Sequence, residues 1–362
     1  MRNIRLYLIA VAITMYSANA TTTITFDADK NNQNKFVQFN FSEKDDFISL
    51  DKMVVKNIGI METLTVEIPG KIKQKQVCIA MKAFSEAILP NKIRDSFCYY
   101  LTNHENIFEN FYKTNLRIIL KFKDIEGISP VLPEYCTMLF SNAYYFTEID
   151  FGNVTTKHVK NMYRMFENCI NLTTINLKSF NTSQVNCMEG MFRNCTKLKK
   201  LNISHFNTGN VTHIGNMFLG CVKLEDIDVS KFDTSKVINM YGMFENCKSL
   251  KEIDVSKFDT RNVYTLSYMF KNCEKLKKID ISNFNTKNIE YAHSMCENCY
   301  ELITVHLCKF GSKFNDAGEM FLNCYNLARV ISVNPLYAHV FQNKAIFNGC
   351  INLIRPAIAP EQ

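Results

Sequence analysis

The chain of 362 residues carries none of the short patterns that accompany common enzyme chemistries. It has no H-E-x-x-H, no G-x-S-x-G, no P-loop and no G-x-G-x-x-G. Its 12 glycines leave little for phosphate-cradling loops, and none of its seven histidines stands near a carboxylate or serine at a spacing that makes a site. These absences argue against an enzyme and against a bound cofactor. No block of like charges occurs either. Lysine and arginine number 42 against 35 acids, a net charge of +7 that gives nucleic-acid binding little support. Beyond the first twenty residues no apolar run is long enough for a transmembrane helix. What remains is a composition of 47% hydrophobic and 21% charged residues, that of a folded chain with a sizeable core.

The first twenty residues have the pattern of a secretory signal peptide. Arg2 and Arg5 form a basic start, Leu6–Ile13 an apolar core too short to span a bilayer, and Ala18-Asn19-Ala20 an A-x-A cleavage site. The expected mature chain begins at Thr21. No cysteine follows the cut, which argues against a lipid anchor, and Ala357–Gln362 resembles no wall anchor. The expected location is therefore secreted or on the cell surface. N-x-S/T sequons at Asn40, Asn153, Asn171, Asn181, Asn194, Asn202 and Asn210 matter only in a eukaryotic source.

Fourteen cysteines in an exported chain first suggest disulfides, but their spacing suggests a repeat. Cys169, Cys195, Cys221, Cys247, Cys273, Cys299, Cys324 and Cys350 follow one another at steps of 26 residues, with one step of 25. Met-Phe pairs keep the same step, from Met165-Phe166 to Met269-Phe270 and again at Met320-Phe321. A period of this size marks a solenoid. In the unit Val237–Thr260, Leu250, Ile253 and Val255 spell a short strand with Ile253 and Val255 inward and Glu252 and Asp254 outward. Met240, Met243, Phe244 and Cys247 fall at helical spacing, which predicts a short helix or helical turn, with Asp259-Thr260 and its equivalents as caps. Phe180, Phe206, Phe232, Phe258, Phe284 and Phe310 should form an aromatic spine.

The phrase M-F-x-N-C-x-x-L-x-x-I-D-V-S-x-F-D-T resembles the BspA-like bacterial surface leucine-rich-repeat family. The resemblance covers about Tyr135 to Ile354, with strict motifs from Val159 to Phe310. It implies an α/β leucine-rich-repeat solenoid: short parallel strands on one face, short helices or helical turns on the other. It also implies adhesion to host matrix proteins or neighbouring cells. The expected organisation is a signal peptide (1–20), a smaller mixed α/β N-terminal region or degenerate repeats (21–130), the solenoid (131–332), and a capping repeat with its tail (333–362). In the N-terminal region Phe36–Phe41 and Leu64–Ile68 alternate like strands, and Ile107, Phe108, Phe111, Tyr112 and Leu116 fit an amphipathic helix.

The equivalent cysteines of neighbouring units should stand side by side with parallel Cα–Cβ vectors at roughly 5 Å, which suits neither the Cβ separation nor the torsion of a disulfide. They read as buried thiols acting as small hydrophobes. Cys296-Glu-Asn-Cys299, with His293 before it and His306 and Cys308 after, has the spacing of a zinc or redox site. Register argues otherwise. Cys299 belongs to the ladder, Cys296 replaces the Phe of a Met-Phe pair, and His306 and Cys308 fall on outward strand positions.

The candidate site is the outward strand face. One column varies from unit to unit, through Lys200, Asp226, Glu252 and Lys278. The next is acidic, with Asp228, Asp254 and Asp280. Side-by-side single carboxylates lack the six to eight converging oxygens of a calcium site. The face suits a protein or glycan partner. The alternative class is a structural coat or spacer protein, and the third an enzyme seated in residues 21–130.

Overall fold

In the computed structural model, residues 119–122, 129–144, 146–308, 317–331 and 345–354 are described in full, and eight strands precede the solenoid. Those strands are β1 (Asn3–Tyr7), β2 (Thr21–Asp27), β3 (Phe36–Glu43), β4 (Phe47–Lys56), β5 (Thr63–Pro69), β6 (Lys71–Ile72), β7 (Lys75–Ile79) and β8 (Arg117–Lys123). The two stretches whose alternation predicts strands are β3 and β5. The helix expected around Ile107–Leu116 lies outside the described residues, as do the Val333–Pro335 break and the tail after Ile354.

One sheet has the order β2-β3-β4-β7-β6, antiparallel except for the β4–β7 pair. In the other, β1, β5 and β8 pair in parallel with one another, and β8 leads into β9 (Phe146–Asp150) and β10 (Thr174–Asn176). β1, within the expected leader, is the outer strand and pairs with β5. The chain then winds as a parallel β-solenoid of about eight turns, with a repeat of about 26 residues. Its strand face continues through β11 (Lys200–Leu201), β12 (Asp226–Ile227), β13 (Lys278–Asp280), β14 (Thr304–Leu307) and β15 (Arg329–Ser332). Register steps by one coil at each pairing: Lys200 faces Asp226, and Lys278 faces Thr304.

The core runs unbroken along the axis. Leu250, Val255, Phe258, Met243, Phe244 and Cys247 are all buried, as are their counterparts in neighbouring coils, while Ile253 is partly buried. The continuous aromatic stack is the Phe of the Met-Phe pairs. Phe140, Phe166, Phe192, Phe218, Phe244 and Phe270 lie nearly parallel, with centroids 5.3, 5.4, 5.9, 5.4 and 5.7 Å apart. The Phe180 column expected to be the spine is buried, but its Phe180–Phe206 pair is spaced more widely, at 6.5 Å. Phe310 lies outside the described residues. At the C-terminal end Phe347 stacks on Phe321 at 5.5 Å, extending the core by half a coil.

The helices expected on the second face are not formed. Among the described residues the one helical element is the 3-10 turn Lys344–Phe347. In the predicted helix, backbone N–H groups alternate between two destinations. Those of Met162, Arg164, Phe166 and Asn168 donate sideways to Cys187, Glu189, Met191 and Arg193 of the next coil, at 2.9, 2.9, 2.8 and 2.7 Å. Those of Met165, Glu167 and Cys169 donate back three residues, at 3.2, 3.1 and 3.2 Å. The third residue of the turns Met162–Met165 and Phe166–Cys169 is in the left-handed region, at Arg164 (φ 50°) and Asn168 (φ 59°). Turns of four residues bring Met162, Met165, Phe166 and Cys169 to one side, the same i, i+3, i+4, i+7 pattern that a helix produces. A helix would bond only to itself; this segment joins one coil to the next.

The left-handed positions account for two columns. The residue before each ladder cysteine is Asn168, Asn194, Gly220, Asn246, Asn272, Asn298, Asn323 or Gly349, all at positive φ. Asparagine and glycine tolerate that region best. The asparagines also bond to each other across coils. Asn168 donates to Asn142, Asn194 to Asn168, Asn272 to Asn246 and Asn298 to Asn272, each at 2.8 Å. At Gly220 (φ 73°) the ladder is interrupted, and the Asn194 Oδ1 occupies the space that a side chain would take.

The threonines expected as helix caps have another role. Thr234 is buried, donates to the Asp259 carbonyl at 3.1 Å and accepts from the Asp259 N–H at 2.7 Å. Thr156 and Thr182 do the same to Asn181 and Asn207. Each hydroxyl fastens its coil to the next.

Candidate functional site

The strand face is where the alternation places it. Lys200, Asp226, Asp228, Glu252, Asp254 and Lys278 are exposed and Asp280 is half-buried, while Leu201, Ile227 and Ile279 beneath them are buried. The coil at Lys251–Val255 forms no strand, so Glu252 and Asp254 lie outside the strand pairing that includes Lys278.

The two columns differ in chemistry. The varied column lies on the open surface of the ladder, with Lys200 beside Asp226. The acidic column closes tight turns. Asp228 Oδ1 accepts from the N–H of Ser230 at 3.0 Å and its hydroxyl at 2.7 Å, and Asp280 does the same with Ser282 at 3.1 and 2.7 Å. Asp254 accepts from the Ser256 N–H at 2.9 Å. The Ser230 and Ser256 hydroxyls, followed by their N–H groups, hold the Asp228 and Asp254 carboxyls below the usual range. At Asp280 partial burial pushes upward, but the hydrogen bonds from Ser282 outweigh it and the net shift is downward. Asn176 accepts from the Lys178 N–H in the same way at 3.1 Å, so the column needs an oxygen rather than a charge. Asp254→Asn should therefore leave the thermal melt unchanged, while Asp254→Ala should cost about 0.5 kcal/mol at this exposed turn. Equal melts for the two would contradict the turn role.

The 12 cysteines with described side chains are all free thiols. Each ladder thiol donates to a main-chain carbonyl of the preceding coil: Cys195 to Phe166, Cys221 to Phe192 and Cys247 to Phe218, each at 3.2 Å. Burial pushes the Cys221 thiol up to about 12 and raises the others well above their ordinary range. In Cys296-Glu-Asn-Cys299 both cysteines are buried, and Cys324 donates to the Cys296 carbonyl at 3.0 Å, where its counterparts use a Phe. Cys296 thus occupies the Phe position. Cys308, expected outward, is fully buried, because β14 ends at Leu307 and alternation ends with it. Cys187 is buried too. Native labelling of these 12 thiols should accordingly be slow, except at half-exposed Cys350, and near complete after denaturation. A Cys221–Cys247 bridge found by mass spectrometry would contradict this.

A second surface escapes the reading of the sequence. On the turn face of three adjacent coils, Ile238, Tyr241, Tyr264 and Tyr291 are 38–44% exposed. Tyr268 meets Tyr241 edge-to-face at 5.2 Å and His293 at 5.6 Å, and the Lys271 Nζ stands over its ring at 4.9 Å. Tyr268 holds φ 60°, in a column that is left-handed in every coil and elsewhere holds Arg164, Gly190, Asn216, Gly242, Ser294 and Glu319. The signal was present in the sequence: these columns hold Asn186, Thr212, Glu189 and Gly215 in earlier coils.

Fold and surface together define a repetitive parallel β-solenoid with two exposed faces of varied composition. The family model described as Mycoplasma protein of unknown function, DUF285, matches residues 134–251 and 223–334, more than half the chain. The protein belongs to that family. No curated protein matches it.

Proposed function

We propose that the protein is a secreted or surface-exposed, non-catalytic recognition module of the BspA-like kind. On this reading it mediates adhesion by holding a protein or glycan, without a cofactor. The observation that carries it is the varied column Lys200, Asp226, Glu252 and Lys278. These side chains are exposed on a ladder whose inward neighbours are fixed in the core. A constant scaffold with a variable surface is how solenoids encode partners. The basic, apolar and A-x-A segments of residues 1–20 support export. Removing that leader takes the outer strand β1 from its sheet. The test is equilibrium binding of the purified full chain to a panel of immobilised extracellular proteins and glycans. Saturable binding to at least one is expected. A folded chain that binds none of them would favour the spacer role instead.

A further inference from the structure

The fold gathers lysines that the sequence keeps apart. Between each ladder cysteine and the strand that follows, two positions face solvent, two and four residues after the cysteine. The first holds Lys197, Lys223 and Lys275, and the second Lys199, Lys251 and Lys277, all exposed. Main-chain hydrogen bonds set these positions side by side. The Glu225 N–H donates to the Lys199 carbonyl at 3.1 Å, and the Lys277 N–H to the Lys251 carbonyl at 3.4 Å. Neighbouring coils lie about 4.8 Å apart, so the four coils carry a ledge on the order of 14 Å long. Each of them supplies at least one lysine.

The charge on this ledge is uncompensated. Of the eight residues in the two columns, six are lysines, one is Ser249 and one is the acid Glu225. That leaves an excess of five on a chain whose net charge is +7. Among the described residues, none of the six lysines forms an ion pair. Lys197 donates to the neutral Asn171 Oδ1 at 2.6 Å. The flanking columns leave the excess intact: Lys248 is paired with Glu274 at 2.7 Å, and Lys200 and Lys278 offset Asp226 and Glu252. The acidic column lies three residues further along, about 10 Å away and close to a Debye length. Its carboxylates are turned onto Ser230, Ser256 and Ser282. Lys231 and Lys257, beyond that column, stand instead within reach of the Asp228 and Asp254 charges.

We propose that the ledge binds a linear anionic polysaccharide, whose sulfate or carboxylate groups run across the coils against Lys199, Lys251 and Lys277. A row of free cations, repeated coil by coil, complements a polymer that carries an anion on unit after unit. Lysine suits this role because it meets an anion as a point charge and demands no fixed angle. On these four coils the ledge has no exposed large apolar side chain, which docking on a membrane surface requires. It has no aromatic ring on which the bases of a single strand could stack. The inference rests on the protein being a recognition module and names an acidic glycan for one of its surfaces. It does not depend on which partner the varied strand column holds.

The test is equilibrium binding of the full chain to a fluorescent heparin oligosaccharide, beside a neutral dextran oligosaccharide and a short DNA duplex in the same buffer. Two variants each lose three lysines. One is Lys199→Gln with Lys251→Gln and Lys277→Gln, on the ledge. The other is Lys178→Gln with Lys231→Gln and Lys257→Gln, beyond the acidic column. All six side chains are exposed, so both variants should melt with the native chain. Heparin should bind the native chain more tightly than the duplex does, and dextran should not bind. The ledge variant should lose about tenfold or more in heparin affinity and show a shallower salt dependence. The second variant has the same net charge and should stay within about twofold of the native chain. No heparin binding, duplex binding as tight as heparin binding, or equal affinities for the two variants would each overturn the proposal. If the chain binds extracellular proteins while heparin fails, the module reading stands and this inference falls.

Discussion

Phe244→Ala is expected to cost about 3–5 kcal/mol, the range for removing a fully buried aromatic from a core. Phe244 sits in the middle of the ring stack, 5.4 Å from Phe218 and 5.7 Å from Phe270, and has no exposure. Its loss opens a cavity between two coils that cannot close, because the Cys247–Phe218 and Phe244–Met269 hydrogen bonds hold the backbone on either side. Each coil touches only its neighbours, so damage should spread locally. Hydrogen exchange should accelerate in the coils around Phe218 and Phe270 before those near Phe140. Lys257→Ala, at an exposed site, should change stability by no more than about 0.5 kcal/mol. Similar effects from the two substitutions in chemical denaturation would mean that the inward and outward assignments are wrong.

Thr234→Val comes next, at about 2 kcal/mol, the low end for two main-chain groups, here part-buried, left without partners. Valine matches threonine in shape, so packing changes little. What disappears is the hydroxyl that both donates to the Asp259 carbonyl and accepts from the Asp259 N–H. Thr234→Ser keeps the oxygen and should recover most of the loss. A valine variant as stable as the native chain, measured by thermal melt, would show that water replaces the hydroxyl and that threonine does not join the coils.

The strand face was readable because alternation of period two has one structural meaning at that length. Ile279 inward with Lys278 outward follows directly from it. The cysteine ladder was readable because the period fixes what stands beside what. The turn face was misread because Met162, Met165, Phe166 and Cys169 fit a helix and a run of four-residue turns equally well. The discriminating residues lay between them. An Asn/Gly column, Asn168 through Gly349, calls for positive φ at one residue in each unit, which no helix interior supplies. Asp259-Thr260 and its equivalents look like helix caps in isolation. Their partners lie 25 residues away in the next coil, beyond any local pattern. The acidic column was legible as a charged stripe but not as a set of turns, since the Ser230 and Ser282 bonds depend on where each strand ends. The tyrosine cluster was missed because its members fall in different columns of different coils and gather only when the turn face is folded.

Binding by face variants tests the central claim of a scaffold that presents a variable recognition surface. Asp254 is tied into a turn, so the clean charge reversal is Asp226→Lys with Glu252→Lys, whose side chains are exposed on the strand face. The measurement is the affinity of the native full chain and of this double variant for one captured extracellular protein, each beside its thermal melt. The account predicts that affinity falls about tenfold or more while the melt is preserved, as when charge complementarity at an interface is lost. Undiminished affinity in a folded variant would contradict binding through the varied strand column.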